Sequence, residues 1–212
     1  MKKYMLALGL SLLTVLGLFT GCSPKAETAS GSDSLKIVAT IFPEYDWVRQ
    51  VLGDRAGEVQ LTLLLDSGTD LHSYQPTAAD MLTIGECDLF LYNGGESDAW
   101  VERVLATAAN PDRRTLSVME VLGDSVLEEE VVEGMQEAED HDHAEGEAHE
   151  EEADEHVWLS LRNARTVCAE IARVLGELDP DHAAEYQTNA ENYMAELEAL
   201  DGEYAALAEN AA

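Results

Sequence analysis

From Leu35 onward the chain alternates short β-branched runs with segments of helical period, and this alternation narrows the possible folds more than any other feature. Residues 36–41 read as a strand, after which Pro43 opens a segment where Trp47, Val48, Val51 and Leu52 recur at helical spacing and stop at Gly53. Residues 58–65 predict a second strand and residues 77–86 a short helix with Thr77 as its N-cap. Residues 88–93 predict a third strand closed by Gly94 and Gly95. Asp98 is placed to cap a helix through Trp100, Val101, Val104 and Leu105, and residues 114–118 predict a fourth, shorter strand. Alternation of this kind predicts an α/β fold, a parallel sheet with helices on both faces.

Two helical patterns follow later in the chain. Val167, Ile171, Val174, Leu175 and Leu178 mark an amphipathic helix that Asp179 and Pro180 end. Tyr186, Ala190, Tyr193, Leu197, Leu200, Tyr204 and Leu207 then step by fours and threes, describing one helix of about 30 residues that only Gly202 weakens. At 1.5 Å per residue it would run roughly 45 Å. It meets no cap or turn signal before Ala212, so the chain reads as cut off within an element.

The N-terminus follows other rules. Lys2 and Lys3 precede an apolar run over residues 5–19 that is short of the ~20 residues a bilayer-spanning helix needs, so residues 1–21 read as a secretory signal peptide. Phe19-Thr20-Gly21-Cys22 resembles the bacterial lipobox, in which the cysteine becomes the lipidated first residue of the mature protein. Several acyl chains on Cys22 suffice for stable membrane anchoring outside the cytoplasm, and the small polar residues 22–34 read as a flexible tether. Cys87 and Cys168 are then the remaining thiols, and pairing is open to them. The preferred reading makes them small buried hydrophobes, because one follows a predicted helix and the other lies inside one.

Charge excludes one class of partner. The chain carries 43 acidic and 12 basic side chains, a formal net charge of −31, and such a surface repels nucleic acid and attracts cations. The acids concentrate in residues 127–155, where 15 acids and three histidines stand without a lysine or arginine. No apolar face can be drawn there, so the segment reads as a disordered, solvated loop. A merely solubilising loop is one reading. Metal capture by His141, His143 and His149 is the other, since imidazole and carboxylate both ligate divalent transition metals.

Two histidines outside the loop stand in more specific settings. His72 lies in Asp70-Leu71-His72-Ser73-Tyr74-Gln75-Pro76, in the connection leaving the second predicted strand, where open α/β sheets collect ligands. His156 lies in His156-Val157-Trp158-Leu159-Ser160-Leu161, followed by Asn163-Ala164, where the acidic loop rejoins ordered chain. Together with Asn93-Gly94-Gly95-Glu96 and Trp100, these segments resemble the motifs of the ZnuA, AdcA and adhesin-like group. That group comprises metal-binding, substrate-binding lipoproteins of bacterial zinc and manganese ABC importers. Leu71 stands where the family has proline, and Ser160-Leu161 where it has Asp-Pro.

The resemblance implies two α/β lobes joined by a long helix with the metal between them. Residues 35–180 would form the N-terminal lobe and residues 181–212 the start of the joining helix, with the C-terminal lobe absent. His72 and His156 would be metal ligands, with Asp70 orienting His72, and the further ligands would come from the second lobe. The implied function is capture of zinc and its delivery to an ABC permease in the membrane. A manganese-binding homologue, or a metal-buffering or adhesin-like surface lipoprotein, is the alternative. The His-rich loop favours zinc, because manganese prefers oxygen donors. No catalytic cofactor is expected, and no compact His-Glu-x-x-His motif suggests a zinc hydrolase.

Overall fold

The computed structural model describes residues 34–211 apart from residues 67, 108 and 129–152. Four parallel strands, β1 (Lys36–Ala39), β2 (Gln60–Leu63), β3 (Leu89–Tyr92) and β4 (Arg114–Ser117), form one sheet in the order β2-β1-β3-β4. Ala39 pairs with Leu63 on one side and Leu91 on the other, and Leu91 pairs in turn with Leu116. The order reverses between β1 and β3, so the chain leaves these two neighbouring strands in different directions and a crevice opens beyond their carboxyl ends.

Strand periodicity divides the core between the two faces. Ile37, Ala39, Leu89, Leu91 and Leu116 point to one face, which is covered by α1 (Phe42–Leu52), α4 (Val118–Leu122), α5 (Leu161–Leu178) and α6 (Ala183–Ala211). Val38 and Phe90 point to the other, where Ile84 of α2 (Ala78–Glu86) and Val101 and Val104 of α3 (Val101–Leu105) meet them. Cys168 is buried in the first cluster and Cys87 in the second. The sheet therefore separates the thiols, which are free, and burial pushes each up to about 12.

Thr77 caps α2 as the sequence signals, while Asp98 does not cap α3, and α4 begins at Val118, which the sequence pattern places at the end of a strand. Thr77 Oγ1 accepts the Asp80 N–H at 3.2 Å and Ser160 Oγ the Asn163 N–H at 3.3 Å, as N-caps do. Trp100 occupies the N-cap position of α3 with no side-chain cap, and Asp98 turns inward to accept the Gly94 N–H at 2.9 Å, leaving its residue 4% exposed. Closing the tight turn after β3 takes precedence over capping a helix of five residues. The long helix runs over 29 residues, burying Tyr186, Ala190 and Leu197. The ends of the acidic segment are also more ordered than a solvated loop: Glu128 and Ala153 form an antiparallel bridge, and the Asp154 N–H donates to Leu127 O at 2.8 Å. The rest of that segment, with His141, His143 and His149, lies outside the described residues, as does the N-terminal part with Cys22.

Candidate metal centre at the carboxyl edge of the sheet

His72 is presented by a short turn that the chain pins on both sides. Leu71 and Tyr74 are buried among Ile84, Phe90 and Trp100, with the Tyr74 ring set edge-on to Trp100 at 5.7 Å. The Tyr74 hydroxyl donates to Asp80 at 3.0 Å, joining the turn to the first turn of α2. His72 itself stays outside, its side chain 53% exposed. His156 comes from the other end of the chain's order. Val157 enters the core of the opposite face, Asn163 Nδ2 donates to Val157 O at 3.0 Å, and the imidazole is left 43% exposed.

The two rings meet, with centroids 5.5 Å apart and planes tilted by 40°. Each also has its own carboxylate two residues upstream. Asp70 Oδ1 lies 3.2 Å from His72 Nδ1 and accepts the His72 backbone N–H at 3.4 Å. Asp154 Oδ1 lies 2.9 Å from His156 Nδ1 and accepts the His156 backbone N–H at 2.9 Å. Hydrogen bonding from the His72 ring holds the Asp70 carboxyl below its usual range, and the His156 backbone N–H does the same for Asp154. An ionised carboxylate accepts and cannot donate, so a neutral imidazole in this contact carries its proton on Nδ1 and has its lone pair on Nε2, the nitrogen that can ligate.

The residues that follow β1 and β3 carry buried carboxyl groups. Glu44 is fully buried; its Oε2 accepts the Thr40 and Ile41 N–H groups and the Thr40 hydroxyl at 2.8–3.2 Å, while Oε1 has no hydrogen-bond partner among the described residues. Burial pushes its carboxyl up to about 8, and pushes Asp98 up to about 6. His182, the remaining described histidine, is occupied with Asp179 at 2.8 Å beside Tyr186, at the start of the long helix.

Among the described residues, no group of three or more His, Cys, Asp or Glu side chains is placed to hold a metal ion. Two imidazoles therefore offer a partial coordination sphere. The pairing of Asp154 with His156 repeats that of Asp70 with His72, and the sequence signal that finds both is the recurrence of Asp-x-His at residues 70–72 and 154–156. Sequence reasoning weighed it for His72 alone.

Known proteins resemble the chain in sequence and fold. The family model described as "Zinc-uptake complex component A periplasmic" matches residues 37–212. The zinc-binding lipoprotein AdcA of Streptococcus pneumoniae is 34% identical over 205 residues, covering 97% of this chain and 38% of AdcA. The manganese ABC transporter substrate-binding lipoprotein scaA of Streptococcus gordonii is 30% identical over 198 residues, covering 92% of this chain and 58% of scaA. The crystal structure of Zn(II)-bound AdcA from S. pneumoniae superposes with a TM-score of 0.61 at 29% identity, over 81% of this chain and 32% of that one. The chain thus spans less than two thirds of these relatives, and its α/β unit matches one lobe of the two-lobed fold.

Proposed function

The chain belongs to the family of periplasmic A components of zinc-uptake complexes, and on that premise we propose that it captures zinc outside the cytoplasm through His72 and His156 and passes it to an ABC permease. The observation that carries this reading is the approach of the two rings to 5.5 Å, each backed by an aspartate. Zn–N bonds of about 2.0–2.1 Å at a tetrahedral angle set two ring centroids about 5 Å apart, close to the 5.5 Å separation of this pair. Imidazole donors favour zinc over manganese, although scaA is named for manganese. The open coordination positions fall to water or to a second lobe of the kind the family resemblance implies.

Membrane anchoring through a lipid on Cys22, after removal of residues 1–21, agrees with the description of AdcA and scaA as lipoproteins. No helix among the described residues is long and apolar enough to cross a membrane. His141, His143 and His149 would supply auxiliary, weaker capture. The test is a zinc titration of the chain with those three histidines changed to asparagine. His72→Ala and His156→Ala should each remove the remaining zinc equivalent, and competition with manganese should leave zinc bound. Single variants that bind as tightly as their parent would sink the assignment.

A further inference from the structure

Glu155 stands between Asp154 and His156, yet its partners belong to the turn that leaves β3. The Ser97 N–H donates to Glu155 Oε1 at 3.0 Å, the Ser97 hydroxyl donates to Oε2, and Asn93 Nδ2 donates to the Glu155 carbonyl at 2.8 Å. The turn is firmly built. Asn93 is fully buried, its carbonyl accepts the Met119 N–H from α4 at 2.9 Å, and Asp98 holds the Gly94 N–H. Gly94 and Gly95 both have positive φ, at 96° and 80°, and a Cβ on Gly95 would collide with the Glu155 carboxylate. Gly95 therefore leaves the room in which this carboxylate reaches the backbone it binds, and both glycines supply the positive φ of the turn.

These bonds fix the second histidine relative to the first. His72 follows β2 and the latch follows β3, and both strands pair with β1, so the distance between the rings is transmitted through hydrogen-bonded sheet. Outside the latch, His156 is held by the Asp154 bonds and the bridge to Glu128 on one side and by Val157 on the other. We propose that Glu155 is a positioning residue, which locks the segment carrying His156 onto the turn after β3 and so sets its ring against His72 for a shared divalent cation. This rests on His72 and His156 being the ligands, whereas the latch itself can be tested without metal.

The role belongs to shape and not to charge. Glutamine at this position keeps one oxygen for the Ser97 N–H and offers an NH2 to the Ser97 hydroxyl oxygen, while alanine loses both bonds. The experiment uses the full chain with His141, His143 and His149 changed to asparagine throughout. In metal-free protein with isotope-labelled histidine, the cross-relaxation signal between the His72 and His156 rings should be present in the parent and in Glu155→Gln, and lost in Glu155→Ala. Zinc affinity, read against a chromophoric chelator, should fall about 10-fold or more in Glu155→Ala and stay within about 2-fold in Glu155→Gln, the range expected when a residue that orients a ligand is lost or kept. Ser97→Ala, which removes a single half-buried bond, should fall between them and serves if Glu155→Ala does not fold. A ring–ring signal and zinc affinity unchanged in Glu155→Ala would overturn the proposal. So would equal losses in Glu155→Gln, which would make the charge the cause. Zinc binding unaffected by His72→Ala would instead overturn the ligand assignment, and the metal-free signal would still decide the latch.

Discussion

An aspartate two residues before a histidine can accept from both the backbone and the ring of that histidine, and the chain does this twice. The arrangement removes two freedoms that zinc binding would otherwise have to quench, the ring rotation and the choice of tautomer. Asp70→Ala and Asp154→Ala should each weaken zinc binding by about 10–100-fold without removing a ligand, measurable by chelator competition. Glu44 leads to a different prediction. Its carboxyl is pushed up to about 8 by burial, so it takes up a proton on folding. Stability is then fullest below the unfolded value of about 4.3 and is lost as pH rises towards 8, because the unfolded state ionises first. Asp98, raised to about 6, acts in the same direction. The melting temperature should drop between pH 5 and pH 8 in the metal-free chain, and Glu44→Gln should lessen the drop, since one amide oxygen can still accept from Thr40 and Ile41. A Glu44→Gln profile parallel to the parent's would show that Glu44 is not the source. The pairing of Asp70 with His72 was legible in the sequence, whereas Glu44 was not: it is one acid among 43 and nothing local marks it as buried.

At the scale of elements, what the sequence displayed was period, and what it concealed was competition between elements. The long helix was readable because Tyr186, Ala190, Tyr193 and Leu197 keep one stripe, and Tyr186, Ala190 and Leu197 are buried against α1 and α5. The second strand occupies Gln60–Leu63 within the expected residues 58–65, after a 3-10 turn over Gly53–Gly57, and the Leu64 and Leu65 N–H groups continue its bonding to Ala39 and Thr40. Asp98 has every local mark of a cap, and the turn after β3 claims it instead. What begins the long helix was also hidden: the Tyr186 hydroxyl donates to Asp179 at 2.6 Å, and His182 binds the same carboxylate. Tyr186 is fully buried, so Tyr186→Phe leaves the ring in place and removes one charge-assisted hydrogen bond. A loss of about 1.5–3 kcal/mol in unfolding free energy is expected by denaturant titration. An unchanged midpoint would mean that the helix start is held by packing alone.

Across the whole molecule, the acidic segment and the α/β unit meet at a neck that the structure defines and the sequence did not. Composition placed the segment at residues 127–155, yet Leu127, Glu128, Ala153 and Asp154 are paired, and Asp154 and Glu155 hold His156 in place. Deleting the whole compositional segment would therefore injure the candidate centre as well as the insertion. Replacing residues 129–152 by a two-residue turn respects the neck, because Glu128 and Ala153 already face each other as antiparallel partners. The replaced stretch carries 12 of the chain's 43 acidic side chains and three of its six histidines. Two consequences follow for zinc. The number of ions bound should fall, since the weaker equivalents depend on His141, His143 and His149, while the ion lost on His72→Ala should remain. Association with zinc should also slow at low ionic strength, because a smaller negative field draws in fewer cations, and the difference from the parent should fade near 1 M salt, where the screening length is about 3 Å. Calorimetry for stoichiometry and stopped-flow at two salt concentrations would measure both. Loss of the His72-dependent ion in the shortened chain would show that the insertion is part of the centre, and would overturn the separation of the two sites at the neck.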